Sequence, residues 1–362
     1  MRHHIPNYKK ELRIIAAILS FLTIILVGWL LHQLQSIILP LIVAVFGIFI
    51  INPLINQILK IKNNKFVEIL AIIFSLVLLF IILNGVGYLF FISIKKVAAG
   101  LPDYDAKFRL FMANISADQN FFSSFLDRLG VDTTEKWNWE KTLGDFSISS
   151  FIISVLGSIF NFISKTFLVV IYMLFILLGR GNLVPKLKKV LPPARLTSVQ
   201  STIENIEKRL QRYLITKTII SLVTGLLAGI VLFYFEVDFA LTWVILTVFL
   251  NFIPTIGSFI ATVLPVTIAF LSTGTLYPAL PVLIFLMGIQ FAIGNVIDPR
   301  IVGDVVDVSP VAVLVSLIFW GWLWGIMGML LAVPIMVSIK LICESFPQLE
   351  FVSVLLSGKV QK

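Results

Sequence analysis

Long apolar runs separated by short charged stretches dominate the chain. The first, 14–31, follows Arg2, Lys9, Lys10 and Arg13 and has no small-x-small cleavage site, which predicts an uncleaved anchor rather than a signal peptide. A second, 37–59, contains Pro40 and Asn52-Pro53, where the missing backbone donor predicts a kink, and Lys60, Lys62 and Lys65 close it. The third, 66–94, would be about 43 Å long as a helix, beyond the roughly 30 Å hydrocarbon core, so it must tilt or protrude. A fourth covers 151–178 and a fifth 214–235.

The pattern changes in the last third. The runs 239–271 and 311–341 are each too long for one crossing, the first about 50 Å as a helix, and each is interrupted in the middle. Asn251, Pro254 and Gly257 fall in the first interruption, and the sequence Trp-Gly-Trp-Leu-Trp-Gly at 320–325, with Gly321 and Gly325, makes the second. Broken spans and re-entrant hairpins both fit. Backbone freed at such breaks must be covered by protein or line a wet cavity, and paired interruptions point to a transporter's binding site. The predicted class is all-α: a polytopic membrane protein of about eight hydrophobic segments, with broken or re-entrant helices in the C-terminal half. Its divisions are N-terminal spans over 1–97, an extracytoplasmic amphipathic insertion over 98–150 and a span over 151–180. A basic cytoplasmic helix (181–213), the membrane region with the breaks (214–345) and a cytoplasmic tail (346–362) follow.

Composition agrees. Hydrophobic residues make up 59% and charged residues 13%, with a mean hydropathy of +1.02, whereas soluble domains are roughly half apolar and a quarter charged. The net charge of +9 would suit nucleic acid, but its placement does not: it concentrates at the N-terminus, at 60–65 and over 180–217, while 103–145 is acidic. The positive-inside rule puts the basic segments and both termini in the cytoplasm of a bacterial inner-membrane protein, and the acidic insertion outside. Within the basic segment Leu196, Val199, Ile203, Ile206, Leu210 and Tyr213 form one apolar helix seam, for packing, oligomerisation or contact with anionic lipid. A lone cysteine, Cys343, excludes an intrachain disulfide framework and a multi-cysteine metal site, and three histidines speak against a histidine zinc site. No phosphate-binding loop, Ser/His arrangement or cofactor motif is present, so neither an enzyme nor an ATP-driven pump is expected.

Candidate chemistry concentrates between the two breaks. Gln290, Gly294 and Asp298 follow at i+4, and Asn295 lies three before Asp298, which predicts one polar helix face. Charges at membrane depth are costly and tend to pair or to serve a solute or proton path. Arg300 is expected to pair with Asp298 or Asp304, leaving one of Asp298, Asp304 and Asp307 free to titrate. The alternative is an ordinary loop, with Asp298 capping a helix that Pro299 ends. Asn251, Pro254 and Gly257 are read as a break that shapes a cavity.

The stretch 251–257, then Asp298-Pro299-Arg300, Ser309-Pro310 and the segment 320–334 resemble the autoinducer-2 exporter family, or PerM-like permeases, and the resemblance extends over nearly the whole chain. It implies an oligomeric inner-membrane protein whose relatives are linked to signal export or to sodium/proton antiport. Carried over by residue, it points to Asp298, Pro299 and Arg300, and to Pro254 and Gly257. The partners expected are the bilayer, a small solute, a proton or sodium ion and further copies of the chain, with no cofactor and no nucleic acid. A membrane scaffold without transport activity is the competing function class.

Overall fold

The computed structural model describes residues 8–61, 64–117, 148–180, 183–190, 192–301 and 307–358. They are helical almost throughout, with no strand among them and one isolated bridge between Val308 and Ser357. Seven helical stretches among them are long and apolar enough to cross a membrane, and 18–33 and 240–250 are shorter apolar helices. The expected all-α, multi-pass architecture is therefore present.

Helices α1 (Tyr8–Gln33) and α2 (Gln35–Ile61) meet at a break at Leu34. Pro40 and Pro53 both lie inside α2. Helix α3 (Lys65–Ala117) has 53 residues, about 80 Å, so the protrusion inferred from its length is large. Residues 98–117, expected as separate amphipathic helices, continue α3, and 118–147 lie outside the described residues. Helices α4 (Ile148–Ser164) and α5 (Thr166–Arg180) form the fourth run with an interruption at Lys165. Ser149 donates its N–H to Asp105 Oδ1 (3.2 Å), which ties the start of α4 to α3. Ala44, Ile48, Ile72, Met173 and Leu177 make a small core between α2, α3 and α5.

After α6 (Leu183–Val190) comes α7 (Pro193–Tyr234), started by a proline in its first turn, where no intrahelical donor is lost. Its 42 residues join the basic seam and the fifth run in one helix, with no helix break at 213. Leu210 and Tyr213 of the seam are buried within the chain, while Ile203 is exposed. Then follow α8 (Ala240–Leu250), α9 (Ile256–Thr273) and α10 (Leu276–Phe291), which passes into a π-helical stretch, Ala292–Ile297, and a last helical turn to Ile301. Helices α11 (Pro310–Ser345) and α12 (Glu350–Leu356) end the fold. The large core lies among α3, α4 and α7–α11, with Trp243, Leu232, Ile268, Leu286 and Val337 nearly inaccessible.

The two interruptions are both re-entrant hairpins. Glycines 225 and 229 of α7 face Val248 and Val244 of α8 so closely that a methyl group at either would clash, which sets α8 antiparallel to α7. The chain turns at 251–255, and α9 returns to the end from which α8 came: the ring of Tyr277, just after α9, is 6.2 Å from that of Phe235 at the end of α7. Helix α10 then crosses fully, because Asp298 at its far end reaches Lys217, nearly five turns back along α7 from Tyr234. In α11 the two arms are opposed as Ser316 to Ala332 (Oγ to O, 2.9 Å) and Trp320 to Gly328, with the reversal at Gly325 (φ +63°, ψ −144°). Its feet are joined by Lys340 and Asp307 at the end that carries Arg180, Arg209 and Lys217. A span plus a hairpin thus occurs twice in opposite directions, α7–α9 and α10–α11, the inverted plan common in secondary transporters.

Each hairpin has one glycine pressed against the opposite backbone. A Cβ on Gly257 would lie 1.8 Å from the Leu250 carbonyl oxygen, and one on Gly328 1.8 Å from that of Trp320. Thr255 in the first turn holds φ +63°, an uncommon conformation for a β-branched residue. The helix continues through Gly321, whose absent side chain lets Met329 approach; the break expected there is at Gly325 alone.

Candidate functional site

One face of α7 carries the site. Lys217, Ser221 and Thr224, spaced by four and three residues, are all buried and form a polar stripe about 10 Å long. At its upper end the first hairpin's turn supplies Asn251, whose Nδ2 donates to Ser221 Oγ (3.1 Å) and lies 3.5 Å from Thr224 Oγ1. Thr247, one turn before Asn251 on α8, is also buried, and its Oγ1 has no partner among the described residues. At the lower end Lys217 Nζ donates to Asp298 Oδ2 (2.5 Å), with Lys217 only 6% exposed at its side chain and Asp298 23%. Asp298 Oδ1 is buried and has no partner among the described residues. A buried ammonium needs an anion nearby, and Asp298 supplies it.

The π-helical stretch explains why Asp298, and not its predicted companions, faces α7. Its i→i+5 bonds place an extra residue in the turn and change the face on which later residues project. Gln290 is half-buried, but Gly294 and Asn295 are exposed, so the i+4 stripe does not form. Arg300 is exposed, and the pairing expected between it and Asp298 is made by Lys217 instead. Pro299 lies inside a helical turn that runs on to Ile301, so it does not end the helix; its missing N–H and its ring fall on the carbonyl of Asn295, within the π-helical stretch. Asp304 lies outside the described residues. Pro254 is half-buried in the first hairpin's turn.

Asp307 belongs to a second group. Lys340, 3% exposed at its side chain, donates to Asp307 Oδ2 (2.8 Å) and lies 3.0 Å from Glu344 Oε1. Ser357 Oγ also donates to Asp307 Oδ2 (2.7 Å), and Arg209 of α7 reaches Glu344 (3.3 Å). This network fastens the feet of the second hairpin to α7 and α12. A third group, Asn52, Arg180 and Glu207, joins α2, α5 and α7: Asn52 Nδ2 donates to Glu207 Oε1 (2.7 Å), and Arg180 pairs with the same carboxylate.

Sequence reasoning missed Lys217, Ser221, Thr224 and Lys340. Lys217 ends the basic segment 180–217, although seven apolar or hydroxyl residues follow it directly, and Lys340 stands near the end of the run 311–341. Both are isolated cations inside apolar stretches, which is the signal that could have found them. No group of three or more His, Cys, Asp or Glu placed to hold a metal occurs among the described residues.

The model of the AI-2E transporter family matches residues 18–348. The chain belongs to that family. It is 30% identical over 345 residues, 95% of each chain, to the AI-2 transport protein TqsA of Escherichia coli K12. It is 29% identical over 327 residues, 88% of this chain and 84% of the other, to a protein of Borreliella burgdorferi assigned to transport by name only. Escherichia coli K12 YhhT, similarly assigned, is 25% identical over 329 residues, 90% of this chain and 89% of its own. The AI-2E protein is therefore a membrane transporter rather than an enzyme. Its family-bearing residues lie at the first hairpin's turn, at the end of α10 and along the second hairpin.

Proposed function

We propose that this AI-2E transporter is a secondary, ion-coupled carrier of a small polar solute, with a path bordered by Asp298, Lys217, Ser221, Thr224 and Asn251. The observation that carries the reading is the half-satisfied Asp298 carboxylate, partly buried beside Lys217 at the foot of a polar stripe that ends on a re-entrant hairpin. A proton or sodium ion on the open oxygen would weaken the hold on Lys217 and so couple ion occupancy to the position of α10 against α7. Gln290 lies half-buried along the same helix, and Asn295, Arg300 and Asp307 would border the mouth. Autoinducer-2, the cargo in the TqsA name, is the first solute to test, and sodium/proton antiport without an organic cargo the second.

In this reading the basic end faces the cytoplasm of a bacterial inner membrane, with both termini inside. Copies of the chain associate, for which the support is α1: Ile18, Leu19, Leu22, Ile25 and Leu26 are each about half exposed, and the helix meets the rest through its last turn.

Proteoliposomes holding the purified protein and a pH-sensitive dye test the coupling under imposed proton or sodium gradients. Wild type is expected to move protons with the gradient and Asp298→Asn to lose that movement while unfolding at a similar temperature. Equal movement by both would remove Asp298 from the path, and no movement by wild type under either gradient would end the coupled reading.

A further inference from the structure

At the basic end, the last two turns of α2 and the middle of α7 part around a cleft of about 500 Å³. Three cations line it, Lys60 from α2 and Lys208 and Arg212 from α7, together with the amides of Asn56, Gln57 and Gln211. No carboxylate lines it among the described residues. The two carboxylates on this stretch of α7 are engaged elsewhere or weakly placed: Glu207 is held by Arg180 and Asn52, and Glu204 lies 3.9 Å from Lys208 in a pair that is two-thirds or more exposed on both sides. Exposed pairs of that kind contribute little. A concave site with cations on both walls and amide donors between them is built for an anion with several oxygens, such as a phosphodiester.

The same face of α7 says which phosphodiester. Lys208, Arg212, Ile215, Ile219, Leu222 and Leu226 follow at spacings of four and three, a single stripe along the helix. Its charged end lines the cleft, and beyond Ile215 it is openly apolar, with Ile219 56%, Leu222 49% and Leu226 65% exposed. A soluble phosphate ester would use only the charged end. We infer that this cleft binds an anionic phospholipid, its headgroup phosphate between Lys60 and Arg212 and its acyl chains along Ile219, Leu222 and Leu226. Cations that merely extend towards headgroups from one helix would form a row; here Lys60 closes the opposite wall. A lipid seated there bridges α2 and α7, the helix that carries the polar stripe.

Native mass spectrometry of the full chain in neutral detergent, titrated with phosphatidylglycerol or phosphatidylcholine, tests this. Wild type should retain phosphatidylglycerol at least about fivefold more tightly than phosphatidylcholine, and Arg212→Gln should lose about fivefold for phosphatidylglycerol alone. Arg212→Lys should keep the preference, which separates loss of charge from misfolding. Lys188→Gln, on α6 and outside the cleft, should change nothing. Equal retention of the two lipids by wild type, or an unchanged preference in Arg212→Gln, would overturn the site. Displacement of phosphatidylglycerol by millimolar glycerol 3-phosphate would make the occupant a soluble phosphate ester and overturn the lipid assignment.

Discussion

The two re-entrant hairpins obey the same construction rule and hold different contents. Each turns where one glycine lets two backbones meet, Gly257 against Leu250 and Gly328 against Trp320. The first hairpin has an amide at its tip, Asn251, bonded to buried hydroxyls of α7, and its arms hold no charged residue. The second has an aromatic tip, with Trp320 and Trp324 rings 4.6 Å apart and Trp324 donating to the Leu31 carbonyl, and its feet are locked by Lys340, Asp307, Glu344 and Arg209. Polar groups at a tip can exchange partners with a passing solute. Ion pairs at the feet fix a position. On the proposed reading this difference would put transport at the first hairpin and anchorage at the second, and it can be tested one property at a time.

The largest effect is expected from Lys340→Met, which takes the cation away from two partly buried carboxylates. Loss of one member of a buried pair costs about 3–5 kcal/mol, so thermal unfolding in detergent should shift strongly downwards. If the shift is small, the feet are not an anchor and the contrast between the hairpins fails. Next come Gly257→Ala and Gly328→Ala, each forcing a methyl group into a backbone carbonyl. Overpacking of this kind costs about 1–3 kcal/mol. The two variants should lose stability alike, but only Gly257→Ala should also lose flux, because only its hairpin borders the polar stripe.

These tests use residues of unequal visibility in the sequence. Hydrophobic run length and the two mid-run interruptions are enough to predict a polytopic helical protein with C-terminal breaks, since a 30 Å hydrocarbon core leaves few alternatives to a run of about 50 Å. Whether a break makes a bent span or a hairpin depends on which distant residues meet, Phe235 with Tyr277 and Ser316 with Ala332, and local pattern does not encode that. Gly328 shows the same limit: it sits in an apolar stretch just past the break and reveals its role only against Trp320. The site was half legible. Asp298 stood out as a charge in an apolar region, but its partner came from α7, 81 positions away, and the π-helical stretch turned Asn295 outwards. A periodicity argument assumes a constant 3.6 residues per turn, and it fails where the turn widens.

A sharper probe of the first hairpin is Asn251→Ala. It removes the amide between Ser221 and Thr224 and leaves buried hydroxyls to find other partners, at about 1–2 kcal/mol of stability. If that amide also serves the solute, the loss of one hydrogen bond of this size lowers flux about tenfold. Unchanged flux with reduced stability would make the tip structural, like its counterpart.

Trp324→Phe is the matching change in the second hairpin, and the smallest. It keeps the ring near Trp320 and deletes only the indole N–H that donates to the Leu31 carbonyl at 3.1 Å. Leu31 lies in the last turn of α1, beside the break at Leu34, where the helical ladder is interrupted and its carbonyl needs a donor from elsewhere. One neutral hydrogen bond is worth about 1 kcal/mol. The expected result is a slightly lower unfolding temperature with gradient-driven flux equal to wild type. A loss of flux comparable to that of Asn251→Ala would move the second tip, and with it the joint to α1 and α2, from anchorage into the transport path.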